Sequence, residues 1–235
     1  MGQKKIKPSN IYKMRPSSEW VYQQLFELNN INLDGKILLD IGGGNAGIGF
    51  YFYKELKKYY CVDSYEGDGN PKDNYEKVLN KIDQDNIENM IIEKMRLKSF
   101  KEKNTKTHFD IIILSNSLHH IFKRPVEDSE LNNFFSIVIS LLKDNGILLI
   151  KESLPINLSQ VFPKLNVDNV LWTDKFYPSF WLKPLKIDST FSKISYNYQI
   201  PYKFKSIYPI LKYFKLFRFF SSYISSSSYI IKAQK

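Results

Sequence analysis

Three stretches of the chain combine residue types that can do chemistry. The first is Asp40-Ile41-Gly42-Gly43-Gly44, a carboxylate followed two residues later by a run of glycines. Glycines have no Cβ, so a ligand can approach bare backbone there. The second is Asp63-Ser64, at the end of Tyr59 to Asp63, with Glu66 and Asp68 close enough to substitute. The third is Ser115-Asn116-Ser117-Leu118-His119-His120, which places two of the chain's three histidines side by side. A histidine, with its pKa near neutrality, suits removal of a proton from a hydroxyl. Neighbouring side chains point in different directions, so at most one of His119 and His120 faces a substrate. Glu152 is the alternative base.

These residues need elements to hold them. Ile37 to Asp40 reads as a short buried strand that breaks on the glycines, and a helix from about Ala46 to Lys58 follows. Tyr59 to Asp63 is a second strand. The interval from Asp40 to Asp63 fits the smallest strand–helix–strand unit. In such a unit an acid at the end of the second strand accepts hydrogen bonds from ribose hydroxyls. Gly42, Gly44 and Gly47 satisfy G-x-G-x-x-G, a pattern common to many nucleotide sites. A helix carrying Val78, Leu79 and Ile82 leads to a third strand, Met90 to Lys94. Phe109 to Leu114 is nearly all apolar, as a central parallel strand buried on both faces should be. It delivers Ser115, Asn116 and the histidines to the carboxyl edge of the sheet, where ligands of open α/β folds sit. A helix over Pro125 to Lys143 and the turn Asn145-Gly146 lead to strand five, Ile147 to Ile150, which ends in Lys151-Glu152.

Asp40 separates this loop from dinucleotide-binding loops, which carry an apolar residue at that position. D-x-G-x-G resembles the opening motif of S-adenosylmethionine (SAM)-dependent methyltransferases. FDIIILSNSLHH resembles the fourth-strand motif of the small-molecule members, and NGILLIKE their fifth strand. The resemblance implies a doubly wound α/β fold with a seven-stranded, mostly parallel sheet and an antiparallel final strand. It also implies SAM as cofactor, held by Asp40, Gly42, Gly43, Gly44, Asp63, Ser64, Ser115 and Asn116, with His119, His120 or Glu152 as catalytic base. One departure stands out. The family's acid after strand three, beside the adenine amino group, would fall near Met95 or Arg96, and neither side chain accepts a hydrogen bond.

The remaining sequence frames this core. Residues 1 to 16 read as an irregular basic arm, and Ser17 or Ser18 can cap a helix from Glu19 to Asn29. Residues 155 to 185 space Trp172, Tyr177, Phe180 and Trp181 like an aromatic helix stripe. Lys193 to Pro201 alternates like an edge strand, and Ser227 to Gln234 is a final strand. Between these two strands, residues 205 to 225 read as an inserted helix with Lys212, Lys215 and Arg218 in one narrow stripe. It is too short to span a bilayer. It could lie in a membrane interface, cover the acceptor site or pack on the sheet edge. We expect one domain over residues 1–235, with arm and cap helix over 1–35, cofactor core over 36–152 and acceptor-side elements over 153–235.

Formal charge is +10, which allows an anionic partner. Cys61 is the only cysteine, so intrachain disulfides and cysteine metal clusters are excluded. We find no converging set of oxygen ligands for a metal. No apolar leader precedes the core, and a cytoplasmic protein, peripheral to a membrane through 205–225, is expected. The acceptor expected is a hydroxyl or amine of a small molecule, glycan or lipid-linked compound. RNA or protein methylation ranks second, since the N/D-P-P-Y/F tetrad of amino-methylating nucleic-acid enzymes is absent after strand four. A non-catalytic SAM-binding scaffold is the rival from another class, and an NAD-dependent dehydrogenase ranks last.

Overall fold

The computed structural model describes residues 16–66, 74–122, 127–153, 191, 193–199, 202–214 and 228–235. Helix α1 spans Pro16–Glu27, β1 Ile37–Ile41, α2 Gly47–Phe52, β2 Lys58–Asp63 and α3 Asn74–Gln84. Strand β3 (Met90–Lys94), α4 (Leu97–Lys103), β4 (Phe109–Ser115), α5 (Leu118–Ile121), α6 (Asp128–Leu141) and β5 (Leu142–Ser153) follow. The chain closes with β6 (Lys193–Tyr198), a 3-10 segment (Tyr202–Ile207), α7 (Tyr208–Leu211) and β7 (Ser228–Gln234).

The seven strands form one sheet in the order β3-β2-β1-β4-β5-β7-β6. Strands β1 to β5 pair in parallel, and β7 runs antiparallel to both β5 and β6. The expected doubly wound α/β sheet with an antiparallel last strand is therefore present. Alternation along the strands gives it two apolar faces. Leu38, Tyr59, Ile111 and Leu149 pack with Phe26 of α1, Phe50 of α2 and Val78 of α3. Leu39, Tyr60, Ile112 and Leu148 pack with Phe100 of α4, Leu118 of α5 and Phe135 of α6.

Several boundaries depart from the sequence reading, each for a local reason. Helix α1 begins at Pro16, so Ser17 and Ser18 lie inside its first turn instead of capping it. Proline suits that first position because its missing N–H would have no helical partner anyway. Helix α2 stops at Phe52, not Lys58. The N–H groups of Lys57 and Lys58 both bond Lys36 O, and Lys58 already pairs with Ile37, so the chain must reverse early. Helix α6 covers Asp128–Leu141, because Leu142 already pairs with Phe109. Asn145-Gly146 then sits in a bulge, with Asn145 left-handed at φ 62, before Ile147 pairs with Ile111.

Of the inserted helix expected over 205–225, residues 205–214 are described, and these depart from the expectation. Over 205–214 the chain forms the end of a 3-10 segment and the single turn α7, and Phe214 is already non-helical. Pro209 explains this, because its ring would clash with the carbonyl of residue 205 in a helix starting there. Tyr208 and Leu211 pack on Trp20 of α1, and Lys212 pairs with Glu27 at 3.0 Å. Ile207, Ile210, Tyr213 and Phe214 are left exposed. Lys215, Arg218, residues 1–15 and the aromatic stripe of 155–185 lie outside the described residues. No described helix is long and apolar enough to cross a membrane.

Candidate functional site

The carboxyl ends of β1, β2 and β4 open into a cleft of about 1090 Å³, walled by α1 on one side and by α5 and α6 on the other. Gly42, Gly43 and Gly44 form its floor. Gly42 is left-handed (φ +71), and a Cβ on it would fall 2.6 Å from Ser117 Cβ. A Cβ on Gly43 would fall 2.7 Å from Asp40 Cγ and 2.9 Å from Cys61 Sγ. Both glycines are therefore required by close packing, and Gly42 by backbone shape as well.

The loop is held from outside by Asp63, the last residue of β2, and by Tyr65 just beyond it. Asp63 Oδ2 accepts the Gly44 N–H at 3.0 Å, and Asp63 Oδ1 accepts the Tyr65 N–H at 2.7 Å. The Tyr65 hydroxyl donates to Gly44 O at 2.7 Å. One glycine is thus gripped at both its amide and its carbonyl. Tyr65 does this from a left-handed conformation (φ 56), which is strained for a bulky residue. Sequence reading did not single out Tyr65.

Asp40 is the most constrained group in the cleft. It is buried, and the buried Tyr59 hydroxyl donates to its Oδ2 at 2.8 Å. Burial pushes its pKa up to about 7; the Tyr59 hydrogen bond opposes that shift and the charge of Asp63 adds to it. Among the described residues, Asp40 Oδ1 and Ser117 Oγ are buried without a hydrogen-bond partner, and both residues line the cleft. Desolvated polar atoms of this kind are costly unless a ligand satisfies them.

Of the residues expected from sequence, Asp40, the three glycines, Asp63, Ser64, Ser115 and Asn116 all line this cleft. His120 also lines it, from α5 instead of the strand end, and is exposed. His119 lies on α5 but its side chain is outside the described set. Glu152 is not brought to the cleft. It is fully buried on the opposite face of the sheet, where its Oε1 accepts the Leu118 N–H at 2.9 Å. Its neighbour Lys151, which sequence reading passed over as a strand end, lines the cleft instead. Burial lowers Lys151 to about 8 against the raising effect of Glu152. Met95, Arg96 and Leu97 line the region beyond β3, where an adenine acid was missed. No cluster of metal-ligating side chains occurs among the described residues.

No protein-family model matches the sequence, and no curated protein does either. Solved structures do match in shape. The N-methyltransferase NodS from Bradyrhizobium japonicum WM9 superposes with a TM-score of 0.59 at 9% identity, over 95% of this chain and 99% of that one. A SAM-dependent methyltransferase from Archaeoglobus fulgidus gives 0.59 at 15% identity, over 95% and 96%. An rRNA methylase from Streptococcus thermophilus gives 0.50 at 12% identity, over 95% and 98%. The fold is the class I methyltransferase fold. At these identities the likeness speaks to architecture alone, and the chemistry has to come from this chain's own residues.

Proposed function

We propose that residues 1–235 form a single SAM-dependent methyltransferase domain. It acts on a hydroxyl or amine of a small-molecule, glycan or lipid-linked acceptor. The observation that carries this reading is the orphaned Oδ1 of Asp40, desolvated beside a glycine floor. A buried carboxylate in that setting calls for a cationic partner. SAM carries two cationic groups, a sulfonium and an ammonium, and a nucleoside whose diol suits Asp63. The cofactor reading assigns Asp40, Gly42, Gly43, Gly44, Asp63 and Ser64 to one end of the cofactor. Ser115 and Asn116 would meet it where β4 ends. Adenine would rest against Met95 and Leu97 by packing, with main-chain groups supplying its hydrogen bonds.

Bound SAM supplies an electrophilic methyl group on a good leaving group. The protein's task is alignment, which can contribute about 7–11 kcal/mol. The cleft walls exclude water from the methyl, and a base at the acceptor end removes a proton from a hydroxyl nucleophile. Of the expected bases, His120 lines the cleft and is one candidate for that role. An amine acceptor could react without a base.

Contact of the 205–214 segment with a membrane or lipid-linked acceptor rests on its exposed ridge of Ile207, Ile210, Tyr213 and Phe214. Incubation with methyl-labelled SAM and fractionated cell extract tests the acceptor class. Label in lipid, glycan or small-molecule fractions supports the reading. Label confined to RNA or protein would replace it with the second reading, and absence of label in every fraction would favour a scaffold.

A further inference from the structure

Lys151 is a buried cation that nothing above employs. Strand register fixes its place: Asp40 pairs with Ile113, Ile113 with Leu149, and Ser115 with Lys151. Period-two alternation puts Asp40, Ser115 and Lys151 on one sheet face and Glu152 on the other. Lys151 is 3% exposed and lines the same cleft as the glycine floor, two strands across from Asp40. The cleft is thus acidic at the β1–β2 end and basic at the β5 end. Of the other titratable groups, Asp40, Asp63, Glu66, Tyr22, Arg96, Lys98, His120 and Glu130 line the cleft, and Glu152 sits behind the sheet.

We propose that Lys151 is the catalytic base for the acceptor, switched on by the positive charge of the cofactor itself. This rests on the methyltransferase reading. In the step, a proton leaves the acceptor O–H for the neutral amine of Lys151. The freed lone pair forms a bond to the methyl carbon as the carbon–sulfur bond breaks. That electron pair stays on sulfur, giving the neutral thioether, and the Lys151 ammonium returns its proton to solvent.

The gating follows from electrostatics. Burial already holds Lys151 down to about 8, so a minority is neutral at pH 7 before the cofactor arrives. A sulfonium bound in the same cleft would disfavour a second cation there and enlarge the neutral fraction. The demethylated product, S-adenosylhomocysteine (SAH), has lost that charge, so Lys151 becomes a poor base once transfer is complete.

The test is a pH titration by NMR of the full chain labelled with ε-13C lysine, saturated with SAM in one sample and with SAH in the other. Lys151→Arg or Lys151→Met assigns the resonance by its disappearance, and either variant suffices. The Lys151 midpoint is expected near 8 with SAH and about one unit or more lower with SAM. Equal midpoints in the two complexes, or a midpoint at the ordinary lysine value in both, would overturn the proposal and leave SAM binding intact. Absence of binding to either compound, read independently by calorimetry, would remove the cofactor reading and this inference with it.

Discussion

The Tyr59 hydroxyl donates to Asp40 Oδ2 at 2.8 Å, and the other carboxylate oxygen, Oδ1, has no partner. The pair sits on adjacent strands under the glycine loop, so half of a buried carboxylate is satisfied by the fold and half is left for the proposed cofactor to meet.

That division has a signed pH dependence. Asp40 titrates near 7 in the fold and near 4 when unfolded, so between these values the folded state binds more protons. The unliganded protein should therefore lose stability as pH rises from about 4 to 7, by up to about 4 kcal/mol from this group. Asp40→Asn should flatten that slope and raise Tm at pH 8, while weakening SAM binding at least tenfold. Thermal melts at pH 5 and pH 8, with and without ligand, check both parts. A variant less stable than wild type at pH 8 would count against the assignment.

Tyr65→Phe removes the bond to Gly44 O but keeps the ring. A net loss of about 0.5–1.5 kcal/mol is expected, read as a roughly two- to twelvefold weaker SAH affinity with little change in core stability. Asp63→Ala releases the Gly44 and Tyr65 amides together and removes the ribose acceptor, so its loss should be greater by tenfold or more. Equal affinities for the two variants would deny Asp63 a ligand role beyond the loop.

Glu152→Gln retains an oxygen for the Leu118 N–H, whereas Glu152→Ala strands a buried donor. The alanine variant should be destabilised by about 1–3 kcal/mol in urea melts, and the glutamine variant far less. Turnover of the glutamine variant within about threefold of wild type would agree with a positioning role. Loss of turnover in a folded Glu152→Gln protein would return Glu152 to the list of bases.

The exposed apolar residues on and around α7 offer a separate test. Ile210 and Phe214 are exposed, with Lys205 and Lys212 nearby. Co-sedimentation with vesicles rich in phosphatidylglycerol should exceed that with phosphatidylcholine vesicles, and Ile210→Glu with Phe214→Glu should abolish it. Binding that survives both substitutions would place the contact elsewhere on this basic chain.

Much of this was legible in the sequence because the informative residues are local. Asp40, the glycines and Asp63 lie within one strand–helix–strand unit, where spacing constrains geometry. Phe109 to Leu114 announced a central strand through its unbroken apolar run, and the structure has β4 there. Helix α4 escaped notice because, of its seven residues, Leu97 and Phe100 are the only apolar pair. Tyr65 was invisible because no sequence pattern marks a tyrosine that turns left-handed to reach the loop at the end of the adjacent strand. The choice between Lys151 and Glu152 needed the β1–β4–β5 register, since alternation says that neighbours face opposite ways but not which one meets the cleft. Over 205–225, hydropathy suggested one helix, and Pro209 prevented it from starting at 205.

The central claim is that Asp40 waits, partly protonated, for a cation. Calorimetry with SAM at pH 7 in buffers of differing ionisation enthalpy measures this directly. Binding should release about half a proton per SAM more from the wild type than from Asp40→Asn, because a cation at Oδ1 drives the carboxyl to ionise. Absence of binding heat on folded protein, or tight binding with no proton released, would contradict it.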